Sequence, residues 1–312
     1  MNPLRVTIAS EHWYPASVGG KSSCRIFDCL AKGLAELGHQ VTCLLGGSLI
    51  PLPHGVTQVS EVPAETDIVH VADPTLIEKL GVSGRPWVRT RHVDSTLHGI
   101  PRTVLPNTIY VSRTLAAVYG TDCYVWNGID PDEFIYSEKK RNYVLFLCGL
   151  EWAAAKGFDI AQAAAREAGV RLVVGGSSRD PELVERFRAT CAEKGVEYAG
   201  EVWGTRRATL LAGARALLFP TQWNEAFGMV MAEALMSGTP VICSNHGACP
   251  ELITPDVGFL CQGIDNYARA ISRAHEIAPA VCREKAMRDF HYSRMTAEYV
   301  KRYRQFLAEG TF

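Results

Sequence analysis

Short apolar runs alternate along the chain with segments whose apolar positions recur at helical spacing. "RVTIAS" (5–10) predicts a strand, and "RIFDCLAKGLAELG" (25–38) a helix closed by Gly38. Further short strands are predicted at "QVTCLL" (40–45), "DIVHVA" (67–72), "PWVRTR" (86–91), "TIYVS" (108–112) and "DCYVWN" (122–127). "NGIDPDEF" (127–134) is turn-rich and "YSEKKRN" (136–142) polar, which predicts a linker over 135–142. A second series follows: "YVLFLCG" (143–149), a helix over 157–168, "VRLVVGG" (170–176), a helix over 181–194 and "VEYAGEV" (196–202). It continues with a helix over 205–213, "RALLFPT" (215–221), a helix over 228–237, "PVICS" (240–244) and "GFLC" (258–261), and 264–310 reads as helical throughout. Apolar strands separated by helices predict buried parallel sheets. Two such series predict two doubly wound α/β domains facing a cleft, with ligands at the carboxyl ends of the strands. The expected boundaries are 1–137 and 138–290, with a terminal helix over 291–312 packing back towards the first domain.

A length of 312 residues suits two domains, and 47% hydrophobic with 21% charged residues is ordinary globular composition. The net charge of −1 gives no basic field for nucleic acid or a membrane. Ten cysteines are scattered without a C-x-x-C pair, which suits a reduced compartment better than a disulfide framework. "MNPLRVTIAS" is too short for a signal-peptide core, and no apolar run reaches the roughly 18 residues of a spanning helix. A cytoplasmic protein is expected, with membrane contact at most peripheral. "KRYRQF" (301–306) with Arg294 reads as a solvated basic face.

The candidate chemistry lies in "NEAFGMVMAEALMSGTP" (224–240), where Glu225 and Glu233 bracket an apolar stretch. A buried acid is costly unless something pairs with it. The strand "RALLF" ends at Pro220, so Glu225 is expected before the next helix and Glu233 inside it. The first turn then offers the N–H groups of Phe227, Gly228 and Met229 at a strand's carboxyl end, where a helix dipole favours phosphate. Gly228 allows close approach to the backbone. Two acids flanking a phosphate site can accept hydroxyls on either side of it, which describes a nucleotide sugar.

These residues, through "NHGACPELI" and "GFL" (258–260), resemble the E-x7-E region of retaining glycosyltransferases of family 4. "VWNGIDPDEF" (125–134) is similar to that family's segment at the domain junction, "HWYPASVGGKSS" (12–23) to its Gly-Gly loop, and "FLCGLEWAAAKGFDIAQAA" (146–164) to its strand–loop–helix with a Lys-Gly pair. The resemblance implies the GT-B fold, two Rossmann-like domains facing a cleft. It implies that Glu233 holds the donor ribose and Glu225 the transferred sugar. Backbone N–H groups at Phe227, Gly228 and Met229 would hold the distal phosphate and sugar, with Ala226 in the same donor-binding segment and Val202 also on the donor side. Lys156 would neutralise the leaving group, Gly19 and Gly20 would close over the diphosphate, and His92 would lie near the reacting sugar. It also implies retention by front-face attack with the leaving phosphate as base, no metal and no further cofactor. The base would be uracil, with guanine open, and the acceptor a hydroxyl on a lipid-linked glycan, a natural-product aglycone or a small metabolite.

One feature departs from the family pattern. Its arginine after the glycine is replaced by Gly149-Leu150-Glu151, leaving Lys21, Arg91 or Arg179 as substitute clamps. That motivates the alternative of a non-catalytic nucleotide-sugar-binding partner. "GGKSS" resembles the tail of a phosphate-binding loop, but Pro15 stands where that motif needs glycine. "DPD" (130–132) has the form of a metal-binding D-x-D but falls in the junction, and an epimerase would share only the architecture. His92 competes with a structural reading and with His98. For Trp13, Trp152, Trp203 and Trp223, ligand contact and simple packing are equal readings.

Overall fold

The computed structural model describes residues 2–16, 22–103 and 105–312. The chain forms two compact units, Met1–Asp130 with Phe290–Phe312, and Pro131–Asp289.

The first unit holds strands β1 (Arg5–Ala9), β2 (Trp13–Tyr14), β3 (Gln40–Leu44), β4 (Gly47–Ser48), β5 (Val56–Gln58), β6 (Ile68–Val71), β7 (Trp87–Arg91) and β8 (Thr108–Tyr110). Its helices are α1 (Ser22–Glu36), α2 (Thr75–Lys79) and α3 (Arg113–Val118). Six strands form one parallel sheet in the order β5-β3-β1-β6-β7-β8. The order reverses beside β1, the doubly wound arrangement. β5 was not anticipated because Thr57 and Gln58 are polar and exposed at the sheet edge. "DCYVWN" makes only one bridge, Tyr110 with Tyr124, instead of a strand.

The second unit holds strands β9 (Tyr143–Leu147), β10 (Arg171–Gly175), β11 (Glu197–Gly200), β12 (Ala216–Phe219), β13 (Val241–Ser244) and β14 (Gly258–Cys261). Between and after them run α4 (Phe158–Glu167), α5 (Pro181–Glu193), α6 (Gly204–Gly213), α7 (Met229–Met236), α8 (Cys249–Leu252), α9 (Ile264–Arg273) and α10 (Pro279–Asp289). The sheet order β11-β10-β9-β12-β13-β14 repeats the topology of the first unit, again parallel throughout. Val144, Phe146, Leu172, Val174, Leu218 and Ile242 form the core under α4 and α9. Both units are thus α/β with Rossmann-like parallel sheets.

The terminal helix α11 (Tyr292–Glu309) belongs to the first unit and packs on α1, where a Cβ on Gly33 would run into Thr296. Its tyrosines satisfy a buried polar chain. His70 Nδ1 lies 2.6 Å from the Tyr303 hydroxyl, and His70 Nε2 lies 2.9 Å from Thr90 Oγ1. Thr90 Oγ1 in turn lies 2.7 Å from the Tyr299 hydroxyl. Burial pushes the His70 imidazole down to about 3, so it is neutral.

The division falls at Asp130/Pro131, earlier than 137/138, because residues 131–142 are fastened into the second unit. The expected linker is held there by Arg141 N–H donating to Gly213 O at 2.7 Å. The Lys140 ammonium donates to Ala212 O at 2.9 Å, Ser237 O at 3.2 Å and Thr239 Oγ1 at 2.8 Å. The lysine thereby satisfies carbonyls at the ends of α6 and α7. The region 264–310, expected to be helical throughout, holds the three helices α9, α10 and α11, separated before Pro279 and again at Phe290–His291.

Candidate active site

In the second unit the strand order reverses between β9 and β12, and an open parallel sheet binds ligands at the carboxyl ends beside such a point. The loops leaving these two strands carry the candidate residues. They are locked together: Gln222 N–H donates to Ala155 O at 2.8 Å, and Gly157, at φ 81°, has no room for a Cβ against the Pro220 carbonyl.

Lys156 from the first loop forms an ion pair with Glu225 Oε2 from the second. The ammonium lies 4.3 Å from the centre of the Trp223 ring and 4.9 Å from that of Phe219. The Trp223 indole N–H donates to the same Glu225 Oε2 at 2.9 Å. Trp152 packs beside Trp223 with ring centres 5.4 Å apart and is itself exposed. Lys156 and Glu225 are therefore brought together, mostly buried, with an aromatic wall behind them.

Glu225 precedes α7 and Glu233 lies within it, as the apolar pattern predicts. Gly228 caps the helix at φ 81°, and a Cβ there would sit 2.6 Å from Met231 Cε. The Ala226 and Phe227 side chains are core, while Gly228 and Met229 are half-buried. First-turn N–H groups of a helix have no intrahelical acceptor, so this end can receive an anion. The backbone of Glu225 is fixed from the other side, where Ala248 N–H donates to Glu225 O at 2.8 Å. Gly247, at φ 56°, approaches so closely that a Cβ would run into the Glu225 backbone.

Glu233 is fully buried on a helix whose other residues from Val230 to Met236 are also buried. Its charge is met by Arg207 of α6, which donates to Oε2 from Nε at 3.0 Å and also from Nη2. Arg207 is the residue that sequence reasoning missed. A signal was present: it stands four residues before buried Leu211, so a cation shares the packed face of α6.

The remaining candidates divide by position. Val202, buried after β11, packs against Gly175, where a Cβ would lie 2.7 Å from its Cγ2. His92 follows β7 in the first unit, with Nε2 buried and, among the described residues, without a hydrogen-bond partner, and with its ring edge-on to Phe27 at 5.8 Å. Burial pushes it down to about 4, so it is neutral. Gly19, Gly20 and Lys21 lie outside the described residues. Arg91, in the first unit, is held by Val93 O at 2.9 Å and lies 5.6 Å from the Tyr119 ring centre. Arg179 is exposed before α5. Glu151, where the arginine was expected, accepts from Ser178 Oγ at 2.6 Å. Trp203 is exposed, with its indole N–H donating to Glu201 Oε1 at 2.7 Å.

A family profile for glycosyl transferases group 1 matches residues 131–287, half of the chain. The chain belongs to this family. A phosphatidyl-myo-inositol mannosyltransferase of Mycolicibacterium smegmatis is 25% identical over 277 residues, covering 70% of this chain and 71% of that protein. A GDP-mannose-dependent monoacylated alpha-(1-6)-phosphatidylinositol monomannoside mannosyltransferase of Corynebacterium glutamicum is 26% identical over 161 residues, covering 47% and 42%. The chain spans less than half the length of several curated relatives it matches. Among solved structures, AviGT4, a glycosyltransferase involved in avilamycin A biosynthesis, aligns with TM-score 0.80 and 28% identity over 99% of this chain and 100% of that one. Sucrose-phosphate synthase from Thermosynechococcus elongatus, 17% identical with TM-score 0.75 over 98% and 99%, shares the fold. This group 1 glycosyltransferase chain therefore has the two-domain architecture called GT-B. Among the described residues, no helix is long and apolar enough to cross a membrane.

Proposed function

We propose that this chain transfers a sugar from a nucleoside-diphosphate sugar to an acceptor hydroxyl, with retention of anomeric configuration and without a metal. One observation carries the reading. At the switch point of the second sheet, a cation (Lys156) and an acid (Glu225) meet beside the N-terminus of α7. A departing diphosphate needs charge stabilisation, which a lysine and a helix N-terminus supply. A sugar needs hydroxyl acceptors, which Glu225 supplies at one end; Glu233, which the resemblance puts at the ribose, is fully buried against Arg207, so this guanidinium has to turn aside before a ribose reaches it. In this reading the leaving phosphate takes the acceptor proton on the face it departs from, so the protein supplies no separate base. Gly19 and Gly20 would contact the diphosphate, and His92, kept neutral by burial, would donate or accept a hydrogen bond at the sugar.

The resemblance favours a UDP-sugar, whereas relatives bear names that specify GDP-mannose, and this favours a guanine nucleotide. Thermal unfolding with UDP, GDP, UDP-glucose and GDP-mannose tests the reading, because a ligand at one hundred times its Kd adds about 2.7 kcal/mol to stability. A cognate sugar nucleotide should raise the midpoint and release nucleoside diphosphate slowly when no acceptor is present. Stabilisation without release, even with acceptors supplied, would favour a binding partner over an enzyme.

A further inference from the structure

Glu225 is engaged through one oxygen only. Oε2 accepts from both Lys156 and the Trp223 indole N–H, while among the described residues Oε1 accepts no hydrogen bond. The side chain is 12% exposed and Oε1 keeps access to solvent, so a hydroxyl could reach it. Lys156 has two claims on its charge, because it neutralises Glu225 here and is also the cation nearest to a departing diphosphate in the proposed reaction. When the ammonium turns to the diphosphate, Glu225 loses a donor at the moment its position matters most. The indole N–H does not have to move.

We propose that Trp223 is a positioning residue for glycosyl transfer: its N–H tethers Glu225 Oε2, keeping Oε1 aimed at a hydroxyl of the transferred sugar while Lys156 is drawn to the leaving group. The inference rests on the reading of Glu225 as the sugar contact. The surrounding geometry suits a fixed tether. Residues 223 and 225 lie two apart on one loop, and that loop is held by Gln222 on one side and by Gly247 and Ala248 on the other. Trp152 covers the indole. The ring face also lies 4.3 Å from the Lys156 ammonium, so one side chain carries two separable roles, a ring face for the cation and an N–H for the acid.

Substitutions can separate these roles. Trp223→Phe keeps a ring beside Lys156 and removes the N–H. Trp223→Gln keeps an N–H donor and removes the ring. Calorimetry with UDP, GDP, UDP-glucose and GDP-mannose gives the affinity added by the sugar over the nucleotide alone, and nucleoside-diphosphate release gives turnover. A hydrogen bond to a charged group governs roughly a tenfold to hundredfold change. Trp223→Phe should therefore keep nucleotide affinity within about twofold while losing about that factor from the sugar increment and from turnover. Trp223→Gln should retain more of both than Trp223→Phe, an order that a purely packing role reverses. Thermal unfolding of each variant reports on folding. Wild-type sugar increment and turnover in Trp223→Phe, or Trp223→Gln falling below it, would overturn the tether. Glu225→Gln in parallel separates the two failures. If it too behaves as wild type, the sugar-contact reading has failed; if it alone falls, only the tether has.

Discussion

Arg207→Met isolates the energetic consequence of placing an acid inside α7. The substitution keeps most of the side chain's apolar stem and removes both donors to Glu233 Oε2. Glu233 is then left fully buried beside Val230, Met231, Ala234 and their neighbours without its guanidinium. Removing one partner of a buried pair costs about 3–5 kcal/mol. The carboxylate can limit that cost by taking up a proton. From an ordinary glutamate value near 4.3, protonation at pH 7 costs about 3.7 kcal/mol, and at pH 5 only about 1 kcal/mol. The variant's folded state then binds a proton that its unfolded state has released, so its stability falls as pH rises. Urea unfolding of the second unit, at pH 5 and pH 7, should therefore show Arg207→Met destabilised by about 1 kcal/mol at the lower pH and by about 3–4 at the higher. Arg207→Met combined with Glu233→Leu should recover most of the loss. A loss independent of pH, or below about 1 kcal/mol at pH 7, would refute the claim that Arg207 carries the charge of Glu233.

Gly247→Ala should disturb the site without touching an acid, because its Cβ meets the Glu225 backbone at a positive φ; turnover should fall with loss of thermal stability, and a wild-type midpoint would contradict the packing. His70 is neutral in the folded first unit, while the unfolded chain gains a proton near 6.5. Stability should then fall as pH drops below about 6.5, at about 1.4 kcal/mol per unit for this group. His70→Asn should remove that share of the slope between pH 6.5 and 5, and an unchanged slope would show that other groups carry it. Turnover should survive a chelator; abolition by EDTA with rescue by Mn²⁺ would revive the metal reading of Asp130-Pro131-Asp132.

The sheets were legible because parallel strands buried on both faces read as continuous apolar runs, as in "YVLFL" (143–147) and "ALLF" (216–219). β5 was not legible, since an edge strand shows polar residues to solvent. The placement of Glu225 before α7 and Glu233 within it followed from Pro220, Gly228 and the apolar spacing between them. What paired with each acid did not follow, because the partners depend on folding: Arg207 comes from another helix, Lys156 from another loop, and Trp223, though two residues away in sequence, depends on the direction of one ring. The polar stretch 136–142 read as linker because Lys140 looks solvated, yet burial among helix-end carbonyls gives its ammonium three acceptors.

The central claim, that Lys156 and Glu225 form a glycosyl-transfer site, is tested most directly by nucleoside-diphosphate release from the stabilising sugar nucleotide in wild type, Lys156→Ala and Glu225→Gln. Losing one charged contact to a developing diphosphate costs about 2.7–4 kcal/mol, or two to three orders of magnitude in rate. The account predicts losses of that order in Lys156→Ala, and a fall in turnover exceeding any change in nucleotide affinity in Glu225→Gln. Near wild-type release by folded Lys156→Ala would contradict the account and move the clamp to Lys21, Arg91 or Arg179.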